Sequence, residues 1–190
     1  MICMPTGRPA GVQTTGSEIA GSPVTLNDLD SPTFIGRRQT ELNCKATTKL
    51  DFSPKQTNDE AGLTLRGNDR NHIDIVVTKR NGKPVVGLRK ILDGQSGEPV
   101  VFQEIPKGEM ILSVKAAPKD YEFFFTPRGG KETSLGTALA RDLSSEVLSG
   151  QKGAHYNFTG VVIGLFATGN GSVATVPADF DWFDYHPGSP

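Results

Sequence analysis

The sequence predicts an all-β fold, a sandwich of two antiparallel sheets, on three observations. From residue 33 onward the apolar residues recur at every second position in short runs bounded by Gly, Pro, Asn and Asp. Two such runs meet at Asn81-Gly82, the dipeptide favoured where both central turn residues need positive φ. Strand and helix patterns do not alternate, so no parallel sheet with crossover helices is expected.

The elements follow in order. Residues 1–23 are rich in Gly, Pro, Ser and Thr and are read as a flexible leader, because such a composition buries too little apolar surface to offset ordering. The clearest strand is "ELNCKATTKLDF", 41–52, which puts Leu42, Cys44, Ala46, Thr48, Leu50 and Phe52 on one face. "AGLTLRG" (61–67) and the hairpin "NHIDIVVTKRNGKPVVGLRKI" (71–91) come next. "EPVVFQEI", "GEMILSVKAA", "YEFFFTP" and "TGVVIGLFAT" precede a closing strand, "ADFDWFDY" (178–185). The domain is expected to run from 24 to 186, with 187–190 as a tail. One segment reads differently: Leu135, Leu139, Leu143 and Val147 recur every four residues, the spacing of an amphipathic helix.

Composition narrows the function classes. The 190 residues suit one domain. Twenty Lys and Arg balance 21 Asp and Glu without a basic run, so nucleic acid is not an expected partner. No stretch approaches the length of an apolar membrane span, and the N-terminus lacks the apolar centre of a signal peptide, so neither membrane association nor location is indicated. Cys3 and Cys44 are the two cysteines, too few for a disulfide framework and without zinc-site spacing.

Asp179 and Asp181 are the first site candidates. Two apart in a strand, they share a face at roughly 7 Å, a separation inverting glycosidases also use. Parallel neighbours on one strand cannot flank a scissile bond, however, so catalysis by this pair is not expected. A structural calcium is the cation they would suit, with carbonyls or water completing six to eight oxygens; the alternative is that they face solvent while Phe180 and Trp182 anchor the strand in the core. Tyr156 and Phe158 are the second candidates, since "GAHYNFTG" is polar and turn-rich and two rings there are poorly explained as strand packing. Arg37 and Arg38 alternate faces, so at most one would serve any single carboxylate site.

The ordered set "SPTFIGRRQ" (31–39), "ATTKLDFSP" (46–54), "DEAGLTL" (59–65), "HIDIVV" (72–77), "FTGVVIGLFATGNG" (158–171) and "ADFDWFDY" (178–185) resembles the C-terminal concanavalin A-like β-sandwich of glycoside hydrolase family 43 β-xylosidases and α-L-arabinofuranosidases. The resemblance implies a jelly-roll scaffold without catalytic residues of its own. It further implies a partner, the family's N-terminal catalytic β-propeller, which this chain is too short to contain, so the chain is expected to be a fragment or truncated product. In such a pair Phe158 would lend an aromatic rim to a xylo- or arabino-oligosaccharide pocket. The resemblance also implies an extended "ARDLSSEV", against the four-residue periodicity. A free-standing carbohydrate-binding module or lectin on the same scaffold is the alternative.

Overall fold

The computed structural model describes residues 2–3, 16–96, 100–151 and 160–188. Two sheets face each other. The larger runs β1 (Ile2–Cys3), β3 (Phe34–Arg38), β13 (Val162–Thr168), β5 (Glu60–Asn68), β6 (Asn71–Arg80), β7 (Lys83–Leu92) and β8 (Gln95–Ser96), with β9 (Phe102–Glu104) also alongside β7. The smaller runs β12 (Thr133–Leu139), β11 (Asp120–Pro127), β10 (Glu109–Ala116), β4 (Cys44–Asp51), β14 (Ala178–Pro187) and β2 (Ser17–Ile19). Named strands pair antiparallel throughout, apart from the parallel β1–β3 contact.

The two-residue periodicity becomes burial. In β4, Cys44, Ala46, Thr48 and Leu50 are buried while Lys45, Thr47 and Lys49 are not, and the inward residues join Leu112, Phe123, Leu63, Ile75 and Leu165 in one core between the sheets. The hairpin forms as expected, with φ of 49° at Asn81 and 80° at Gly82. Leu42 departs from the pattern: it precedes the strand and is 70% exposed.

The larger sheet buries its outer face too. Residues 71–78 of β6 are all buried, which is why this strand does not read as one wet and one dry face. Leu26, from the segment preceding β3, packs on Phe34, Val76 and Phe166 in a second small core. Thr64, His72 and Asp74 on that face are paired, whereas Arg66 Nε is buried without a hydrogen-bond partner. His72 Nδ1 lies 2.9 Å from the Asp74 carboxylate and Nε2 lies 2.8 Å from Asn27 Oδ1, tying the covering segment to the sheet. Thr64 Oγ1 donates to Asp74 at 2.7 Å, and Arg89 bridges Asp74 and Glu60 at 3.1 and 2.9 Å.

Three expectations need correction. Ordered structure starts before residue 24, since Ser17–Ile19 pairs with Ala178–Phe180 and Ile19 is buried; a three-residue edge strand is too short to show periodicity. Residues 141–148 are not extended, although 133–139 are. After β12 the chain makes a 3₁₀ turn, Ala140–Leu143, and a helix α1, Ser145–Gly150, where the Ser144 side chain accepts from Val147 N at 3.3 Å as an N-cap. Finally, Trp182 is not in the core with Phe180. A bulge at Asp181 shifts the register, so that Phe183 and Tyr185 turn inward and Trp182 is only partly covered.

Burial alone would raise the Asp74 carboxyl; the neighbouring His72, Arg89 and Thr64 outweigh it and hold it near a pKa of about 2, against an ordinary 3.8. A depressed carboxyl stabilises above its unfolded pKa and loses that contribution as pH falls through the folded value. Stability is therefore expected to drop from about pH 4 to about pH 2, and Asp74→Asn, which removes one of the two carboxylates that Arg89 engages and the carboxylate beside His72, to cost about 3–5 kcal/mol near neutrality. Urea unfolding of both proteins across pH checks this: an Asn variant with wild-type stability at pH 7 would show that the network contributes little.

Candidate functional site

One end of the sandwich gathers features that packing of the sheets does not explain. Cys44 pairs with Ala116 and Pro187, while Val162 pairs with Arg38 and Arg66. The connections 39–43 and 117–119, the chain leaving through 140–151 and the chain returning at 160–161 consequently all meet at the same rim. They enclose a concavity of about 370 Å³ lined by Gln39, Thr40, Glu41, Leu42, Pro118, Tyr121, Ala140, Arg141, Leu143, Ser144, Ser145, Gly160 and Val161.

Two tyrosines from the smaller sheet fix the chain leaving the larger one. Tyr121 Oη donates to Gln39 Oε1 at 3.0 Å, and Gln39 Nε2 donates to the Glu41 carbonyl at 2.9 Å. Tyr185 Oη donates to Glu41 Oε2 at 2.5 Å and accepts from Thr40 N at 3.3 Å, while the Arg37 guanidinium lies 4.0 Å from the Tyr185 ring centroid. Burial raises the Tyr121 hydroxyl to about 12 and pushes Tyr185 up as well; the hydrogen bonds from Tyr185 and Thr40 lower Glu41. Both phenols therefore stay protonated and Glu41 ionised near neutral pH, an arrangement that holds shape.

Helix α1 completes the rim. Leu148 is buried and sits so close to Gly67 that a β-carbon there would lie 2.6 Å from its Cδ1. Gln151, just beyond the helix, exchanges two 2.8 Å hydrogen bonds with the buried Asn71 side chain. Tyr156 and Phe158 fall in 152–159, outside the described residues. The flanks of that segment are at the rim: Gln151 is held by Asn71, and Gly160 lines the concavity with φ of 69°.

Asp179 and Asp181 lie elsewhere, exposed on the outer face of the smaller sheet. Lys49 Nζ sits 3.1 Å from both Asp181 and Glu109, and Asp179 is in register with Asp51 and Glu18. Among the described residues no three His, Cys, Asp or Glu are grouped to hold a metal ion. His186 pairs with Asp184 on the same strand, and Arg38 and Arg66 share a face across Val162 while Arg37 turns to Tyr185.

Against this geometry the comparisons are specific. The profile of the β-xylosidase C-terminal concanavalin A-like domain matches residues 16–186. The chain belongs to this family. A non-reducing end α-L-arabinofuranosidase of Bacteroides ovatus is 42% identical over 167 residues, which are 88% of this chain and 30% of that protein. A solved Bacteroides ovatus protein described as xyloglucan PUL GH43B superposes with a TM-score of 0.82 at 42% identity, over 90% of this chain and 32% of that one. The Bacillus halodurans xylan β-1,4-xylosidase gives 0.78 at 21% identity over 89% and 32%, a likeness of fold. This family domain thus spans under a third of the relatives it matches.

The sequence reading passed over Gln39 and Glu41, took Tyr121 as strand packing and put Leu42 on the buried face of its strand, although all four line the rim. The available signal was Asn43, a turn residue that places Leu42 outside the strand.

Two outcomes test this site. Tyr185→Phe removes the hydroxyl from Glu41 and Thr40 and is expected to cost about 1–2 kcal/mol, read as a lower urea midpoint at unchanged slope; an unchanged midpoint would show that the rim does not depend on it. Since Lys49 already engages Asp181, millimolar calcium is expected to leave the thermal midpoint unmoved, whereas a saturable rise abolished by Asp179→Asn would place an ion there.

Proposed function

We propose that this chain is the accessory sandwich of a family 43 glycoside hydrolase acting on xylosides or arabinosides of hemicellulose, inactive alone and complementary to a catalytic β-propeller. The observation that carries the reading is the 42% identity to an arabinofuranosidase across 88% of this chain but only 30% of that enzyme. The sandwich accounts for the shared part, and the remaining length is of the size a catalytic domain needs.

The mechanism assigns this chain a positioning role. Acid and base chemistry belongs to carboxylates of the propeller. The rim holds Gln151 and carries Gly160, the residues on either side of 152–159. Phe158 within it supplies a ring face to the apolar face of a pentose at the pocket edge, with Tyr156 beside it. An apolar wall of this kind excludes water from the bond being cleaved and orients the sugar against the catalytic groups.

The purified chain is expected to show no turnover of aryl xylosides or aryl arabinofuranosides and at most weak heat of binding to xylo-oligosaccharides. Placed after the catalytic domain of the Bacteroides ovatus relative, in place of that protein's own sandwich, it should support hydrolysis, and Phe158→Ala should lower kcat/KM about 10- to 100-fold. Turnover by the chain alone that survives repurification would contradict the proposal. Submillimolar binding to xylo-oligosaccharides by the chain alone would instead make it a free-standing carbohydrate-binding module.

A further inference from the structure

We propose that the end of the sandwich opposite the rim binds the carboxylate of a hexuronic acid side group, an inference that takes the class of polymer, a hemicellulose, from the functional reading above. The turns 53–59, 80–83 and 105–109 meet at that end. Between them lies a concavity of about 240 Å³ whose lining includes Lys55, Lys79 and Lys107 together with Ser53, Pro54 and Pro84, and no acidic residue.

The charge in this concavity is unmatched. Lys45, Lys49, Lys83 and Lys115 each have an acidic partner. Among the described residues Lys55, Lys79 and Lys107 form no ion pair with a carboxylate, and the Lys79 ammonium donates instead to the Lys55 carbonyl at 3.0 Å. The carboxylates on the neighbouring segments are committed elsewhere: Asp59 accepts from Lys55 N, Gln56 N and Thr175 N, and Glu104 holds Lys83. Ammonium groups that converge on a concavity without a counter-charge concentrate positive potential there and keep their capacity for charge-assisted hydrogen bonds to an oxyanion.

The three turns are fixed before any ligand arrives. Asp59 holds the backbone at Lys55 and Gln56 at 3.0 and 2.9 Å, and Thr78 Oγ1 donates to the Asp59 carbonyl at 2.8 Å, tying that turn to β6. Ile105 N donates to the Pro84 carbonyl at 3.1 Å, which brings the turn bearing Lys107 to the same place. A site ordered in advance gives up less entropy on binding. Its chemistry selects a charged sugar: Pro54 and Pro84 supply an apolar wall, Ser53 a hydroxyl and the lysines partners for one negative charge, which match the apolar face, hydroxyls and carboxylate of a uronic acid ring. The volume falls below the roughly 300–1,000 Å³ of pockets for drug-sized ligands and suits one sugar residue. Because the concavity faces away from the rim, a polymer held there by its side groups leaves the pocket edge free and raises the local concentration of bonds to be cleaved.

Affinity electrophoresis of the chain tests the site, through gels holding glucuronoxylan, the same polymer with its carboxyls reduced to alcohols, or neutral arabinoxylan, each against a polymer-free gel. Retardation is expected with glucuronoxylan alone and is expected to fade as salt screens the lysines. Lys55→Gln with Lys107→Gln, exposed changes expected to preserve the unfolding midpoint, should weaken binding about tenfold or more. Lys119→Gln with Lys131→Gln, the same change of charge outside the concavity, should leave it unaltered. Retardation that survives carboxyl reduction, that falls equally with both pairs, or that is absent altogether overturns the site. Displacement of glucuronoxylan by inorganic phosphate but not by free glucuronate would give the concavity to a simple anion and overturn the uronate assignment. The accessory reading is judged separately, by hydrolysis with the Bacteroides ovatus catalytic domain, so each of these failures leaves it standing.

Discussion

The geometry of the rim depends on Tyr185. Its backbone belongs to the smaller sheet, its ring lies under Arg37 of the larger one, and its hydroxyl joins Glu41 and Thr40 just after the larger sheet's strand β3 ends. A sandwich held by apolar burial alone can slide, because the hydrophobic effect has no direction. Directed bonds at one end, from Tyr185 and from Tyr121 to Gln39, fix how the two sheets meet there. The concavity and the exposed Leu42 inherit that geometry.

Burial of both faces of the larger sheet solves a different problem. Its outer face carries Thr64, His72 and Asp74, all with no exposure, beneath the segment containing Leu26 and Asn27. Buried polar groups are costly unless paired, and here each finds a partner. That pairing makes the covering segment part of the domain.

Where the sequence was legible, a local rule was enough. Asn81-Gly82 needs only turn stereochemistry, and the alternation in Cys44–Asp51 needs only one buried face. Legibility failed where the deciding partner was distant. The bulge at Asp181 inserts one residue against Lys49 and reverses the phase of the rest of the strand, so equal alternation on either side misplaces Trp182. The run from Leu135 to Val147 combines a strand end, a 3₁₀ turn and one helical turn, so a single period could not describe it. Ser17–Ile19 is a strand only because Ala178–Phe180 offers an edge. For the site, Tyr121 and Tyr185 read as ordinary strand aromatics because their hydroxyl partners lie 82 and 144 residues away in sequence.

The central claim is that this family domain is a rigid accessory platform working from one end. Hydrogen–deuterium exchange of the chain, with and without the catalytic domain of its Bacteroides ovatus relative, tests it most directly. The account predicts slowed exchange confined to 39–43, 139–151 and 160–161, with the opposite-end turns at 53–59, 80–83 and 105–109 unchanged. Protection at those opposite turns, or spread over the charged face of the smaller sheet, would contradict it.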